Sequence, residues 1–229
     1  MTMLYAVKQV EKLTPDILFF SLEPASENSL YFLAGQYVYL TDPHSKVTLP
    51  FSIASLPQGS LQFYFRLNLD DSKVIQFAKA LIVGNQLAIS LPQGNCSLPE
   101  FDTPILFAAG GTGISQPLAL LSALTMKQFS STCRLYWSVR QESDFFLKQD
   151  LDHYVEVLKD FQYTVSLTRE SNTWPYARGY CYELIVADSI PLSETEVYVS
   201  GPYEMVRDTI INLQVNGLNR NKVHTDMGF

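Results

Sequence analysis

A chain of 229 residues, 47% hydrophobic and 17% charged, has material for one large domain or two of roughly 100 residues each, and disorder of the whole is excluded. Its formal net charge of −7, with no Lys/Arg run, excludes nucleic acid as a partner, because that binding needs clustered positive charge to displace counterions. Cys96, Cys133 and Cys181 lie far apart and His44, His153 and His224 are isolated, so no zinc, iron–sulfur or other metal site is expected.

The low, odd cysteine count points to a reducing compartment. Met1-Thr2-Met3-Leu4-Tyr5, with Lys8 following, has no signal-peptide layout, so a cytoplasmic location is expected.

The first half reads as β structure. Leu4–Val10, Ile17–Leu22, Tyr37–Leu40 and Leu61–Leu67 are short runs rich in Val, Ile, Tyr and Phe. Turn residues separate them at Thr14-Pro15-Asp16, Asp42-Pro43-His44 and Pro57-Gln58-Gly59. Short strands at this spacing predict a closed barrel or a sandwich. A helix is predicted over Ser72–Leu81, with Val74, Phe77, Ala78 and Leu81 on a single face.

The second half changes period. Pro104–Ala109 is a continuous apolar run, as buried parallel strands are. A glycine turn follows, then an apolar helix over Ser115–Met126. The uncharged stretch Thr103–Met126 is long enough to span a bilayer by count. Gly110, Gly111 and Gly113 interrupt it, however, and Pro117 follows, so strand, turn and helix are expected and membrane insertion is not. Strands at Cys133–Val139, Tyr163–Leu167 and Glu196–Val199 alternate with helices near Asp144–Leu151 and over Glu204–Val215, which argues for a parallel sheet covered on both faces. The domain boundary falls near Leu98–Thr103, after Pro92-Gln93-Gly94, giving domains 1–99 and 100–229.

Two segments carry chemistry. In Ala109-Gly110-Gly111-Thr112-Gly113-Ile114-Ser115, glycines permit a sharp turn and close backbone approach to a ligand. The helix behind them offers free N–H groups and a partial positive end, which suit a pyrophosphate. An ordinary tight strand–helix turn would use the same residues. In Leu49-Pro50-Phe51-Ser52-Ile53-Ala54-Ser55, an aromatic, a hydroxyl and small residues suit the wall and edge of a flat ring; a strand in a barrel core would read the same way.

In this order the two segments resemble the ferredoxin–NADP reductase superfamily. Ala34-Gly35-Gln36-Tyr37, Leu91-Pro92-Gln93-Gly94, Leu135-Tyr136-Trp137-Ser138-Val139-Arg140 and Val199-Ser200-Gly201-Pro202-Tyr203-Glu204-Met205 are similar to further motifs of that superfamily. The short length and Pro50–Ser55 look most like bacterial NAD(P)H:flavin oxidoreductases. The resemblance implies an N-terminal antiparallel β-barrel holding flavin (FAD or FMN, as cofactor or exchangeable substrate) and a C-terminal Rossmann-like domain holding NADH or NADPH. It assigns Pro50, Phe51, Ser52 and Ile53 to the flavin, with Ser52 near N5 as the catalytic contact. Gly110, Gly111, Thr112 and Gly113 would hold the dinucleotide phosphates, and Ser200, Gly201 and Pro202 would shape the nicotinamide floor.

Three departures follow from the comparison of motifs. Leu49 stands where the family has an Arg that pairs with the flavin phosphate, so weakly held, exchangeable flavin is expected; Lys46, Lys73 and Arg66 are candidate substitutes. Ser200 replaces a Cys. Phe229 stands where an aromatic covers the flavin ring. Arg140, after the second strand of the Rossmann-like unit, favours the 2′-phosphate of NADP, while Glu142 and Asp144 nearby argue for NAD as well. Three functions remain open: an enzyme reducing free flavin, the reductase component of an oxygenase whose acceptor protein is a separate chain, and a non-catalytic nucleotide-binding regulatory module.

Overall fold

In the computed structural model, which describes residues 3–26, 29–169 and 173–227, the apolar runs of the first half become strands of one antiparallel sheet. They are β1 (Met3–Lys12), β2 (Ile17–Pro24), β3 (Tyr37–Thr41), β4 (Thr48–Ser52), β5 (Leu61–Arg66) and β6 (Gln86–Ile89), with helix α1 (Ser72–Ala78) between the last two. The strand order is β4-β3-β6-β1-β2-β5. Its two edge strands are drawn together: the N–H of Ala54 donates to the carbonyl of Gln62 at 2.9 Å, and the Phe51 and Phe63 rings meet at 5.8 Å. The sheet therefore curls toward the barrel that the strand spacing predicts.

Local chemistry sets the turns. The Thr14 hydroxyl accepts from the N–H of Asp16 and Ile17, closing the β1–β2 turn. The Asp42 carboxylate accepts from the N–H of His44 and Ser45 at 3.1 Å each, an Asx turn that starts the β3–β4 hairpin. Burial acts to raise the Asp42 pKa, but these hydrogen bonds outweigh it and hold the carboxyl below its ordinary range. Alternate residues of the strands fill the interior, where Phe20, Phe51, Phe63, Phe65 and Phe77 interlock. Helix α1 is capped by Asp71, whose carboxylate accepts from the N–H of Lys73 and Val74.

The second half forms a parallel sheet of order β10-β9-β8-β7-β11-β12, from β7 (Ile105–Gly110), β8 (Cys133–Val139), β9 (Phe161–Leu167), β10 (Ala177–Arg178), β11 (Glu196–Ser200) and β12 (Val223–His224). Its helices are α2 (Ser115–Met126), α3 (Lys148–Val157), α4 (Cys181–Ala187) and α5 (Tyr203–Val215). Every residue of β7 is buried, so the sheet is covered on both faces, as the continuous apolar run predicts. Helices α4 and α5 pack on the face bearing Leu106, Ala108, Tyr136, Val197 and Val199. Ser122 of α2 and the Tyr154 hydroxyl of α3 join those two helices at 2.7 Å.

Strands β6, β10 and β12 lie outside the predicted ones, and two helices differ from expectation. The helix expected near Asp144–Leu151 starts at Lys148, because Glu142–Asp144 form a single 3₁₀ turn and Phe145 and Phe146 are drawn edge-on to Trp137. Helix α4 went unpredicted, although Glu183 accepts from the N–H of Tyr180 at 2.8 Å, half of a capping box. By internal contacts the chain divides into two compact units, Met1–Ser97 and Leu98–Phe229.

Candidate functional site

The hairpin of β3 and β4 sorts the first candidate segment into two faces. The register pairs Tyr37 with Ser52, Val38 with Phe51, Tyr39 with Pro50, Leu40 with Leu49 and Thr41 with Thr48. Alternation turns Val38, Leu40, Leu49 and Phe51 to the core and leaves Tyr37, Tyr39, Thr41, Thr48, Pro50 and Ser52 on the outer face. Phe51 and the fully buried Ile53 are thus packing residues. Phe51 contacts the rings of Phe20, Phe63, Phe65 and Phe77 at 5.2 to 5.8 Å. Pro50 is exposed and sits on an edge strand, where its missing N–H costs no ladder bond.

The outer face is aromatic, hydroxylated and uncharged. The Tyr37 and Tyr39 rings meet at 5.8 Å and 74°, the Tyr37 hydroxyl donates to Oε1 of Gln93 at 3.2 Å, and the Thr41 and Thr48 hydroxyls are 2.8 Å apart. Such a surface fits a flat, neutral heteroaromatic ring with hydrogen-bonding edges. It does not fit a phosphate. Of the three cations considered for that role, Arg66 is bound to the Asp16 carboxylate. Lys46 is exposed in the hairpin turn at a left-handed φ of 61°, and Lys73 is exposed beside the capping carboxylate of Asp71.

The second candidate segment ends β7. Gly111–Ile114 form a 3₁₀ turn leading into α2, and a helical turn leaves its first N–H groups without intrahelical acceptors. The glycines serve packing as well as turning. A Cβ on Gly113 would lie 2.6 Å from Cα and N of Gly201 and from the Ser200 carbonyl oxygen. A Cβ on Gly110 would meet Cδ of Pro202 at 3.1 Å and Sδ of Met205 at 3.3 Å. Gly201 itself takes a φ of 146°. The turns after β7 and β11 are mated backbone to backbone.

Side chains lock this pair of turns. The Ser200 hydroxyl donates to the Gly113 carbonyl at 2.9 Å, the Trp137 indole N–H to the Gly111 carbonyl at 2.9 Å, and the Ser115 hydroxyl to the Thr112 carbonyl at 2.9 Å. Gly110, Gly111, Thr112, Gly113, Ser200, Gly201 and Pro202 therefore come together at the carboxyl edge of the sheet, where open α/β sheets bind ligands.

Arg140 is exposed one residue beyond β8 at the same edge. Glu142 and Asp144 are engaged elsewhere, with the Thr173 hydroxyl and the Gln141 amide respectively. Sequence reasoning missed Arg169, exposed two residues beyond the neighbouring strand β9. Neither Arg140 nor Arg169 has an ion pair among the described residues. The signal for Arg169 was its place behind a third parallel strand, which ends at the same edge. Further along that edge, exposed Tyr176 meets Trp174 at 5.0 Å. Phe229 lies outside the described residues. Among those described, no three His, Cys, Asp or Glu side chains are placed to hold a metal, and no helix is long and apolar enough to cross a membrane.

An antiparallel, aromatic-filled unit followed by a parallel sheet is a fold that solved oxidoreductase structures share. Residues 107–210 match the oxidoreductase NAD-binding domain family. The structure of a ferredoxin NADP+ reductase from Neisseria gonorrhoeae, with bound FAD and NADP, shares the fold at a TM-score of 0.84 and 23% identity, over 100% of this chain and 99% of that one. The chain is 30% identical to the probable flavin reductase of Photobacterium leiognathi, over 88% of its own length and 87% of the relative's. It is 29% identical to the anthranilate 1,2-dioxygenase electron transfer component of Acinetobacter baylyi over 77% of its length, and the match spans 52% of that relative. Across three such oxygenase components the chain spans 52–63% of the relative. The chain belongs to the flavin reductase family.

Proposed function

We propose that the protein is an NAD(P)H:flavin oxidoreductase that passes electrons to a flavin and on to a separate acceptor. The observation that carries this reading is an uncharged aromatic and hydroxyl face on one unit and a mated glycine turn flanked by two arginines on the other. A bound nicotinamide nucleotide would supply the hydride and a bound flavin would accept it. Tyr37, Tyr39 and Pro50 would form the wall for the flavin ring. Ser52 would hydrogen-bond its edge, a contact that strengthens as negative charge develops there. The N–H groups of Gly111, Thr112 and Gly113 would hold the nucleotide phosphates. Ser200, by gripping the Gly113 carbonyl, would keep that turn in one conformation.

The phosphate-blind outer face supports flavin as an exchangeable substrate. Riboflavin should therefore turn over within about twofold of FMN and FAD, since a lost charge-assisted contact would otherwise cost tenfold or more. Oxidation of NADH and NADPH followed at 340 nm with each flavin tests this. A strong preference for FMN would show that the phosphate is read. No turnover with any flavin would leave the non-catalytic module as the reading. Service to an oxygenase as its reductase component is the second reading, supported by relatives named as electron transfer components; a stimulated turnover on adding such an oxygenase would favour it.

Arg140 and Arg169 support use of the 2′-phosphorylated nucleotide. Arg140→Ala and Arg169→Ala should each raise KM for NADPH about tenfold and leave KM for NADH within twofold, as expected for loss of a charged hydrogen bond. A wild-type protein with a strong NADH preference would refute the role of both. Three buried free cysteines support a reducing compartment, and we place the protein in the cytoplasm.

A further inference from the structure

The first turn of α2 contains an unusual residue. Gln116 is buried to 1% exposure, where a hydrogen bond is electrostatically stronger than at the surface. Its Nε2 donates to Oδ2 of Asp226, 2.8 Å away across 110 residues of sequence. Asp226 follows β12, which runs parallel to β11 with Val223 beside Val197 and His224 beside Tyr198. A parallel partner delivers the residues after His224 to the carboxyl edge of the sheet, the edge that carries the glycine turn.

Separate contacts anchor β12 itself. The His224 ring stacks on Tyr198 at 4.4 Å and 15°. The Glu196 carboxylate takes Lys222 Nζ at 2.7 Å and His224 Nε2 at 2.8 Å. Burial acts to raise the Glu196 pKa, yet these two partners hold its carboxyl below the ordinary range. Met227 packs against the α4–α5 core. Strand β12 is thus held without Gln116, whose bond to Asp226 falls at the nucleotide-binding turn instead.

We propose, resting on the nucleotide-binding reading above, that Gln116 is a positioning residue. Its amide clamps Asp226, and with it residues Thr225–Met227, onto the first turn of α2, so that this segment forms a fixed wall of the nucleotide site. Pre-ordering the wall lowers the conformational entropy that the protein loses when a nucleotide binds.

The test uses the whole chain, with calorimetric titration of NADP+ and NAD+ and amide hydrogen exchange at residues 223–227. Gln116→Leu keeps the volume and removes the donor. It should speed exchange at 223–227 and weaken both nucleotides about tenfold. The double variant Gln116→Glu with Asp226→Asn reverses donor and acceptor across the same contact and should restore slow exchange and affinity. A merely structural role for Gln116 would not be rescued by that swap. Gln116→Leu that binds as tightly as wild type or tighter, or a swap as weak as the single variant, overturns the clamp. A wild-type protein that binds neither nucleotide overturns the reading beneath it, and the exchange data then show separately whether the contact forms.

Discussion

A Gly113→Ala protein should lose nucleotide binding and melt about 10 °C below wild type in its second unit. The added Cβ would meet three backbone atoms of Ser200 and Gly201 at 2.6 Å, and backbone cannot yield as a flexible side chain can. Overpacking of this kind costs about 3 kcal/mol. The strain comes from contact alone, since Gly113 is not among the glycines with positive φ. Gly217→Ala is the control, in the same unit: its φ is 95° with nothing within 4 Å of the built Cβ, so it should cost only about 1 kcal/mol, the price of the left-handed conformation. Tryptophan fluorescence isolates the effect, because Trp137 and Trp174 are the chain's two tryptophans and both belong to the second unit. A Gly113→Ala midpoint within 2 °C of wild type, with unchanged nucleotide affinity, would mean that the two turns are not mated in solution.

That contact shows what could be read along the chain and what could not. Period and punctuation made β1, β2, β5, β7, β8 and α2 legible, because each obeys a local rule. Pro50 left β4 as one of two readings, since its tolerance depends on β4 being an edge strand, which only pairing decides. Gly113 was recognisable as a turn glycine, but its reason for lacking a Cβ is the turn after Ser200, whose hydroxyl bonds it across 87 residues. The sequence reading accordingly left the glycines to a ligand or to an ordinary tight turn, and held no contact between two turns. Arg140 is legible because the position behind the second strand of a Rossmann-like unit has a rule for its charge, while the third strand, behind which Arg169 sits, has none. Gln116 was legible only as one polar residue in an apolar helix, since its partner arrives with β12. Residue chemistry was visible throughout; which residues face each other required the fold.

The same limit produces the sharpest experimental contrast. Phe51 and Ser52 are neighbours in one motif, and the family resemblance assigns both to the flavin. Pairing with β3 puts them on opposite faces. Phe51→Ala should remove a ring held among four others and destabilise the first unit by about 3–5 kcal/mol, read as a lower urea midpoint by far-UV circular dichroism. Ser52→Ala removes a hydroxyl from the outer face and should leave that midpoint within about 0.5 kcal/mol. Its effect falls on turnover, with kcat for flavin reduction down about a hundredfold and KM for the nucleotide unchanged. The two readouts separate cleanly because one residue acts through the core and the other through the ligand. Wild-type kcat in Ser52→Ala would remove the flavin from this face. A Phe51→Ala protein of full stability but no activity would instead place that ring against the ligand, and the core side of β4 would have to be the one that opens.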